Sequence, residues 1–174
     1  MAKARVLVMG LWITLGVMGC IRSEEEAFGI HLLAEDVPAA VLTTLGLNEL
    51  EIQEQPILAS DDIVAYAWTT HEIKLTAEAY ERIQQLFTLP VQVDGMRFVV
   101  VVGHRRIYAG AFWTPVSSLS FDGVVICQPL DLGKRAITIG LGYPCPDAFT
   151  GSDPRFDERI RTSLEAAGKL EQQK

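Results

Sequence analysis

The chain has 174 residues, of which 49% are hydrophobic and 21% charged, and this composition fits one folded domain with a buried core better than a disordered chain. Its formal net charge of −7 repels nucleic acid phosphates, so the composition argues against a nucleic acid partner. The same charge argues against attachment to anionic lipids through a polybasic surface.

The N-terminal segment has the pattern of an export signal. Two cations, Lys3 and Arg5, precede an uncharged and mostly apolar run over residues 6–19. This run is shorter than the roughly 20 residues that a transmembrane helix needs. A charged start, a short apolar stretch and small residues before a cysteine are typical of a secretory signal. The sequence therefore predicts a signal peptide over residues 1–19.

The end of this segment, Val17-Met18-Gly19-Cys20, resembles the lipobox of bacterial lipoproteins. In that family a signal peptidase cuts before the cysteine, and acyl chains are attached to its thiol and to the new amino group. The resemblance implies lipidation of Cys20, and several acyl chains, at about 0.8 kcal/mol per buried CH₂, hold a protein firmly on a membrane. The alternatives are an ordinary signal peptide and an uncleaved anchor, in which Cys20 carries no lipid.

Lipidation predicts a protein of the cell envelope, outside the cytoplasm and bound to the membrane through its lipid anchor. The cysteine is followed by Ile21. In Gram-negative lipoproteins an aspartate there often means retention in the inner membrane, so its absence favours the outer membrane in a Gram-negative source. Residues 20–27 are interpreted as a polar tether, and residues 28–174 as a single domain.

The first part of the predicted domain contains short elements. A strand is expected from Phe28, where apolar residues alternate. A short helix is expected over residues 38–47, followed by a weak strand that Pro56 interrupts. Ser60 is expected to cap a helical turn, because acidic residues follow it directly.

The next elements are a strand and a helix. The strand is expected over residues 71–75, and Thr76 is the expected N-cap of a helix over residues 77–87. Four apolar residues of this helix share one face and indicate packing on a sheet: Ala79, Ile83, Leu86 and Phe87.

A hairpin is expected in the middle of the domain. The segment Met96–Val102 is apolar at consecutive positions, as in a central strand that is covered on both faces. Gly103 and His104 supply the break, because glycine tolerates positive φ. The return strand contains Gly110, which predicts a bulge or a close backbone approach.

The last third is expected to contain a connection with a turn at Asp122-Gly123, two further strands and a final helix. Asp153 is expected to cap this helix, and Gly168 lies near its end. Because helices and strands are mixed and the central strands join by hairpins, the sequence predicts an α+β domain. The sheet is expected to be mainly antiparallel, with helices packed on one face.

Residues 75–79 (LTAEA), followed by the strand and hairpin of residues 99–108, resemble the periplasmic head subdomain of SecD, a protein-export component. The resemblance spans roughly residues 30–140 and implies a similar arrangement of strands and helix. SecD works through transmembrane helices, and this sequence has no such run after its signal. The resemblance therefore implies a fold and carries over no functional residues. Small exported proteins with this domain alone are the class that the sequence resembles most.

Two cysteines, Cys127 and Cys145, lie in the exported part. An oxidising compartment favours a disulfide between them, and the separation is acceptable for a closed loop. The alternative is two buried thiols. The choice depends on whether the strands bring the two Cα atoms within about 7 Å.

The polar residues offer no clear catalytic or metal-binding pattern. The histidines His31, His71 and His104 are scattered and lack the close spacing of zinc ligands. His104 with the two arginines after it could bind a carboxylate or phosphate, although solvated residues of a hairpin tip are the simpler interpretation. The acidic residues near Asp153 do not have the spacing of an EF-hand. No catalytic, cofactor or metal residue is therefore predicted.

Three aromatic residues, Phe112, Trp113 and Phe121, lie among small polar residues. Core packing is one interpretation, and an exposed patch for an envelope protein partner is the other. The sequence thus predicts a membrane-tethered, extracytoplasmic lipoprotein with a non-catalytic binding or scaffold domain and no cofactor. The alternative is an envelope hydrolase or processing enzyme whose site forms only in the folded chain.

Overall fold

The computed structural model describes residues 27–38, 42, 45–88, 90, 92–131 and 133–171. The predicted signal peptide, Cys20 and the tether up to residue 26 lie outside the described residues. The α+β class is confirmed, because the described chain forms one sheet and two α-helices.

The sheet has eight strands: β1 Phe28–Leu32, β2 Leu58–Ala59, β3 Ile63–Ala67, β4 Glu72–Leu75, β5 Met96–Val102, β6 Arg105–Trp113, β7 Phe121–Cys127 and β8 Ala136–Tyr143. The α-helices are α1 Ala77–Gln85 and α2 Glu158–Ala166. Short 3₁₀ helices are found at Leu47–Glu49, Ser60–Asp62 and Pro146–Ala148.

The strand order is β2-β1-β5-β6-β7-β8-β4-β3. Every neighbouring pair is antiparallel except β6 and β7, which run parallel, with Gly110 opposite Val124. The sheet is therefore mainly antiparallel, as the sequence predicts, and the single parallel pair makes it mixed. The reason is the connection over residues 114–120, which returns the chain along β6 so that β7 runs in the same direction.

The sheet curls so strongly that its two outermost strands are neighbours along the chain. Flat strands at about 4.8 Å spacing would separate β2 from β3 by about 34 Å. Only the 3₁₀ turn Ser60–Asp62 joins them, and so short a connection spans at most about 15 Å. The short connection therefore forces the curl.

The main core lies on the concave side of the curl, where both helices contribute buried residues together with all eight strands. From α1 these are Ala79, Tyr80 and Ile83, and from α2 they are Ile160 and Leu164. The convex side of β5 and β6 is covered in turn by apolar residues between 33 and 52. The consecutive valines of β5 are buried on both faces, as the sequence predicts for a central strand.

Three local predictions are confirmed. Thr76 Oγ1 accepts a hydrogen bond from Ala79 N at 3.2 Å, so Thr76 is the N-cap of α1. Gly103 has φ +58° at the first position of the two-residue loop between β5 and β6. A Cβ on Gly110 would lie 2.5 Å from Phe98 Cζ and 2.6 Å from Val124 O, so the chain does approach closely there.

Three other local predictions are wrong. Asp122 and Gly123 form no turn but belong to β7, at the point where its register with β8 shifts. Residues of these types are also found at irregular positions within strands, so they do not identify a turn. Ser60 is the first residue of a single 3₁₀ turn and not its N-cap, which is Ala59. The turn leads straight into β3. The N-cap of α2 is Asp157, which accepts from Arg159 N, whereas Asp153 is paired with Arg155 before the helix.

Candidate ligand-binding cleft

A cleft of about 520 Å³ opens between the tip of the β5–β6 hairpin and helix α2. The hairpin contributes Val102, His104 and Arg105, and α2 contributes Glu158, Arg159, Thr162 and Ser163. This volume lies within the range of about 300–1,000 Å³ that is usual for small-molecule sites. The cleft therefore has room for a small ligand between two elements that the core holds in place.

The hairpin wall carries the cationic cluster that the sequence analysis singled out. His104 and Arg105 are exposed, and neither side chain has a hydrogen bond or ion pair in the part of the chain that the structure describes. Arg106 differs, because its Nη1 donates to Leu47 O at 2.6 Å and also to Leu50 O. Arg106 thus holds the 3₁₀ segment on the sheet, while the other two residues face the cleft.

The helix wall is nearly neutral. Arg159 binds Asp157 twice, from Nη2 to Oδ2 at 2.6 Å and from Nε to Oδ1 at 2.8 Å. These bonds from Arg159 lower the pKa of the Asp157 carboxyl. Glu158 lies 3.7 Å from Arg161 in the next turn. Arg105 is therefore the cleft arginine whose charge no described carboxylate neutralises.

The cleft contains residue types that hydrolases use, namely a histidine and a serine. Activation of a serine requires a histidine within hydrogen-bond reach, about 2.6–3.2 Å. Ser163 is only 5% exposed, whereas His104 is exposed at the hairpin tip. The cleft offers hydroxyl and cationic groups that can hold a ligand.

The cleft lies where the domain joins its N-terminal segment. Gly103 N donates to Ala27 O at 2.9 Å, so the first described residue is held beside the hairpin tip. Residue 27 is also the last residue of the predicted tether. The end of the molecule that carries the cleft is therefore the end from which that segment leaves.

The predicted aromatic partner patch is corrected by the structure. Phe112 and Trp113 are each 1% exposed and Phe121 is 5% exposed, so none of them can present a surface. Phe112 belongs to the main core. Trp113 and Phe121 stack on the convex side, with ring centroids 5.1 Å apart. Large aromatic side chains occur both in cores and in exposed binding patches, so the sequence left both interpretations open. In the structure other residues pack over all three rings and bury them.

The same stretch does expose aliphatic residues that the sequence analysis missed. Val116 is 73% and Leu119 is 49% exposed in the connection between β6 and β7. Val93, 48% exposed, is their neighbour, because Ser117 Oγ donates to Val93 O at 2.5 Å. The proline and serines of this connection were a signal that it lies at the surface.

The structure does not bring the two cysteines together. Cys127 and Cys145 are both exposed free thiols. The β7–β8 register places Cys127 beside the Ile126–Ile139 pair, whereas Cys145 follows the opposite end of the hairpin at Tyr143. These ends are roughly 15 Å apart at about 3.3 Å per residue, well beyond the Cα separation of a disulfide.

The remaining histidines are held within the fold. His31 Nδ1 lies 2.9 Å from Gln53 O. His71 is 1% exposed, and its Nδ1 lies 3.0 Å from the Tyr66 hydroxyl. Among the described residues, no group of three or more His, Cys, Asp or Glu side chains could hold a metal ion. The cleft is therefore the candidate site, because it brings exposed polar residues of two elements together.

No family model, curated protein or solved structure matches this chain. The resemblances to lipoproteins and to the SecD head subdomain therefore stay predictions from the residues that carry them. Within the described ranges, no helix is both long enough and apolar enough to cross a bilayer.

Proposed function

We propose that the protein is a lipid-tethered, extracytoplasmic binding protein of the cell envelope, and that its cleft binds a small anionic molecule. The ligand carries a carboxylate or phosphate group. The rest of the molecule serves as a scaffold that holds the hairpin tip and helix α2 at a constant separation.

The observation that carries this proposal is the Arg105 side chain in the cleft. It is a cation without a described ion pair, in a chain whose net charge is −7. A local positive site in an acidic protein attracts small anions, and low-dielectric walls concentrate its field. Thr162 adds a hydroxyl that can donate to the same ligand.

A protein partner is a second candidate, which the exposed aliphatic residues Val93, Val116 and Leu119 support. Neighbouring exposed apolar residues are a common feature of interaction surfaces. The hydrolase alternative is supported by the residue types in the cleft, where His104 and Ser163 both contribute to the lining.

The tether is tested by labelling cells with a palmitate analogue and comparing wild type with Cys20→Ala. Lipidation predicts label on the wild-type protein, recovered with membranes, and none on the variant. Equal labelling of both proteins, or a cytosolic chain that retains Met1, would contradict the tether.

The cleft is tested by calorimetric titration of the protein with inorganic phosphate and with succinate. At least one of them is expected to bind, with at least tenfold weaker binding to Arg105→Gln. Lys134→Gln is the matched control, because it removes one positive charge on another turn. Absence of binding to both anions, or equal loss in both variants, would contradict the proposed site.

A further inference from the structure

A second site is indicated by Arg97, a buried cation on the convex side of the sheet. Arg97 is 5% exposed. In the part of the chain that the structure describes, no carboxylate lies within ion-pair distance of its guanidinium. Nη1 donates to Gly95 O at 3.1 Å, while Nε has no described partner. A guanidinium has five N–H donors, so one hydrogen bond to Gly95 leaves donors that a ligand can use.

The surroundings hold this guanidinium in one place. Its Cζ lies 5.7 Å from the centroid of Trp113 and 5.3 Å from that of Phe121, so both rings contribute cation–π attraction. Gly95 closes the other side with φ +81°, where a Cβ would lie 2.4 Å from Trp113 Cε3. Burial lowers the pKa of Arg97, and the charges of Asp94 and Asp36 oppose that effect.

A pocket of about 200 Å³ has Arg97 among its lining residues. Its other lining residues include two glutamines, Gln53 and Gln92, and two acidic residues, Glu35 and Asp36. At about 30 Å³ for each water-sized group, the pocket holds a molecule of roughly seven such groups at most. It shares no lining residue with the cleft at the hairpin tip.

We infer that this pocket binds a small zwitterion, with a carboxylate on Arg97 and an ammonium group beside Glu35 and Asp36. A planar guanidinium matches a carboxylate through two parallel hydrogen bonds. A simple anion would meet the two acidic side chains at the rim, whereas a zwitterion places its positive end there. Free amino acids with short side chains have this chemistry and this size. This site is independent of the anion proposed for the cleft.

The test is a calorimetric and thermal-shift titration of the whole protein with glycine, L-alanine and L-serine. At least one is expected to bind and to raise Tm with concentration. Propionate and ethylamine each keep one of the two charges of alanine, and both are expected to bind at least tenfold more weakly than the zwitterion. No binding by any of the three amino acids, or equal binding of propionate, would overturn the inference.

Two variants separate a ligand site from a purely structural arginine. Arg97→Met fills similar space against the aromatic rings and removes the donors, so binding is expected to fall at least tenfold while Tm without ligand is unchanged or higher. Arg161→Met is the control, and its binding is expected to equal that of wild type. Should Arg97→Met fail to fold, Arg97→Lys keeps the charge without the planar fork and is expected to fold and to bind at least tenfold more weakly. Unchanged affinity in the folded variant would overturn the site.

Discussion

His71 shows how one residue combines several constraints. It adopts φ +54° at the turn before β4, a conformation that few non-glycine residues adopt. Its ring lies 4.5 Å from that of Phe156 and its Nδ1 lies 3.0 Å from the Tyr66 hydroxyl. Burial, together with the nearby charge of Arg155, lowers the pKa of His71 to about 4, while Asp153 opposes the shift.

This pKa predicts a stability that falls in mild acid. Between pH 6.5 and pH 4 the unfolded chain protonates His71 and the folded protein does not, so the free energy of unfolding decreases as the pH falls. The difference between the two pKa values corresponds to about 3 kcal/mol by pH 4. Urea denaturation over this pH range measures it.

The matched variant is His71→Asn, because asparagine tolerates the left-handed backbone and does not titrate. It is expected to lose most of the pH dependence between pH 6.5 and pH 4, whatever its stability at neutral pH. Asp153 and Asp157, whose pKa values are lowered by bonds from Arg155 and Arg159, act below this window. A variant with the full wild-type pH dependence would show that another group is responsible.

Gly110 gives a second prediction for a single residue. Gly110→Ala would force a Cβ against Phe98 Cζ and Val124 O, and overpacking of this kind costs about 1–3 kcal/mol. Gly46→Ala is the control, since its nearest neighbour, Glu49 Cδ, would lie at 3.7 Å and its φ is −66°. Chemical denaturation compares the two, and an equal change in both variants would contradict the close approach.

Among the elements, the edge strand β3 depends on the C-terminal segment that follows α2. Tyr66 N donates to Lys169 O at 2.7 Å, and Glu171 N donates to Tyr66 O at 3.0 Å. Lys169 Nζ donates to Ile63 O at 2.6 Å, and Lys74 forms an ion pair with Glu171 at 2.7 Å. The segment thus bonds backbone N–H and C=O groups at the edge of β3. Without it, these groups would be free to pair with a strand of another molecule.

Truncation after Gly168 is therefore expected to lower the free energy of unfolding by about 3 kcal/mol. It removes three backbone hydrogen bonds, the two to Tyr66 and the one from Lys169 N to Leu164 O, at about 1 kcal/mol each. It is also expected to promote self-association through the open edge. Denaturation and light scattering measure the two effects. Truncation after Glu171 is the control, and identical behaviour of the two truncated chains would refute the protective role.

Some structural features could be predicted because they depend only on adjacent residues, and others could not because they depend on distant contacts. Thr76 and Gly103 were placed correctly because a cap hydroxyl and a positive φ depend on adjacent residues. Asp153 was misplaced as the cap of α2, since Asp153 and Asp157 both precede helix-forming residues. Arg155 decides between them, because it pairs with Asp153 and donates to Ile139 O on β8. The residues around Asp153 and Asp157 in the sequence do not indicate this contact with β8, so the sequence could not distinguish the two caps.

For the whole molecule, strand existence was predictable and strand order was not. The apolar run of Met96–Val102 indicated a central strand, and β5 lies between β1 and β6. The parallel pairing of β7 with β6 and the neighbouring positions of β8 and β4 are set by contacts between distant residues. The cleft was hidden for the same reason, because Arg105 and Thr162 meet only when α2 packs beside the hairpin.

The most direct test of the account is a backbone amide NMR titration of the protein with phosphate and succinate. Binding in the cleft predicts that the largest shift changes fall on residues 102–105 and 158–163, which form its two walls, and that these changes disappear in Arg105→Gln. Saturable shifts centred elsewhere, or no shifts with either anion, would contradict the account.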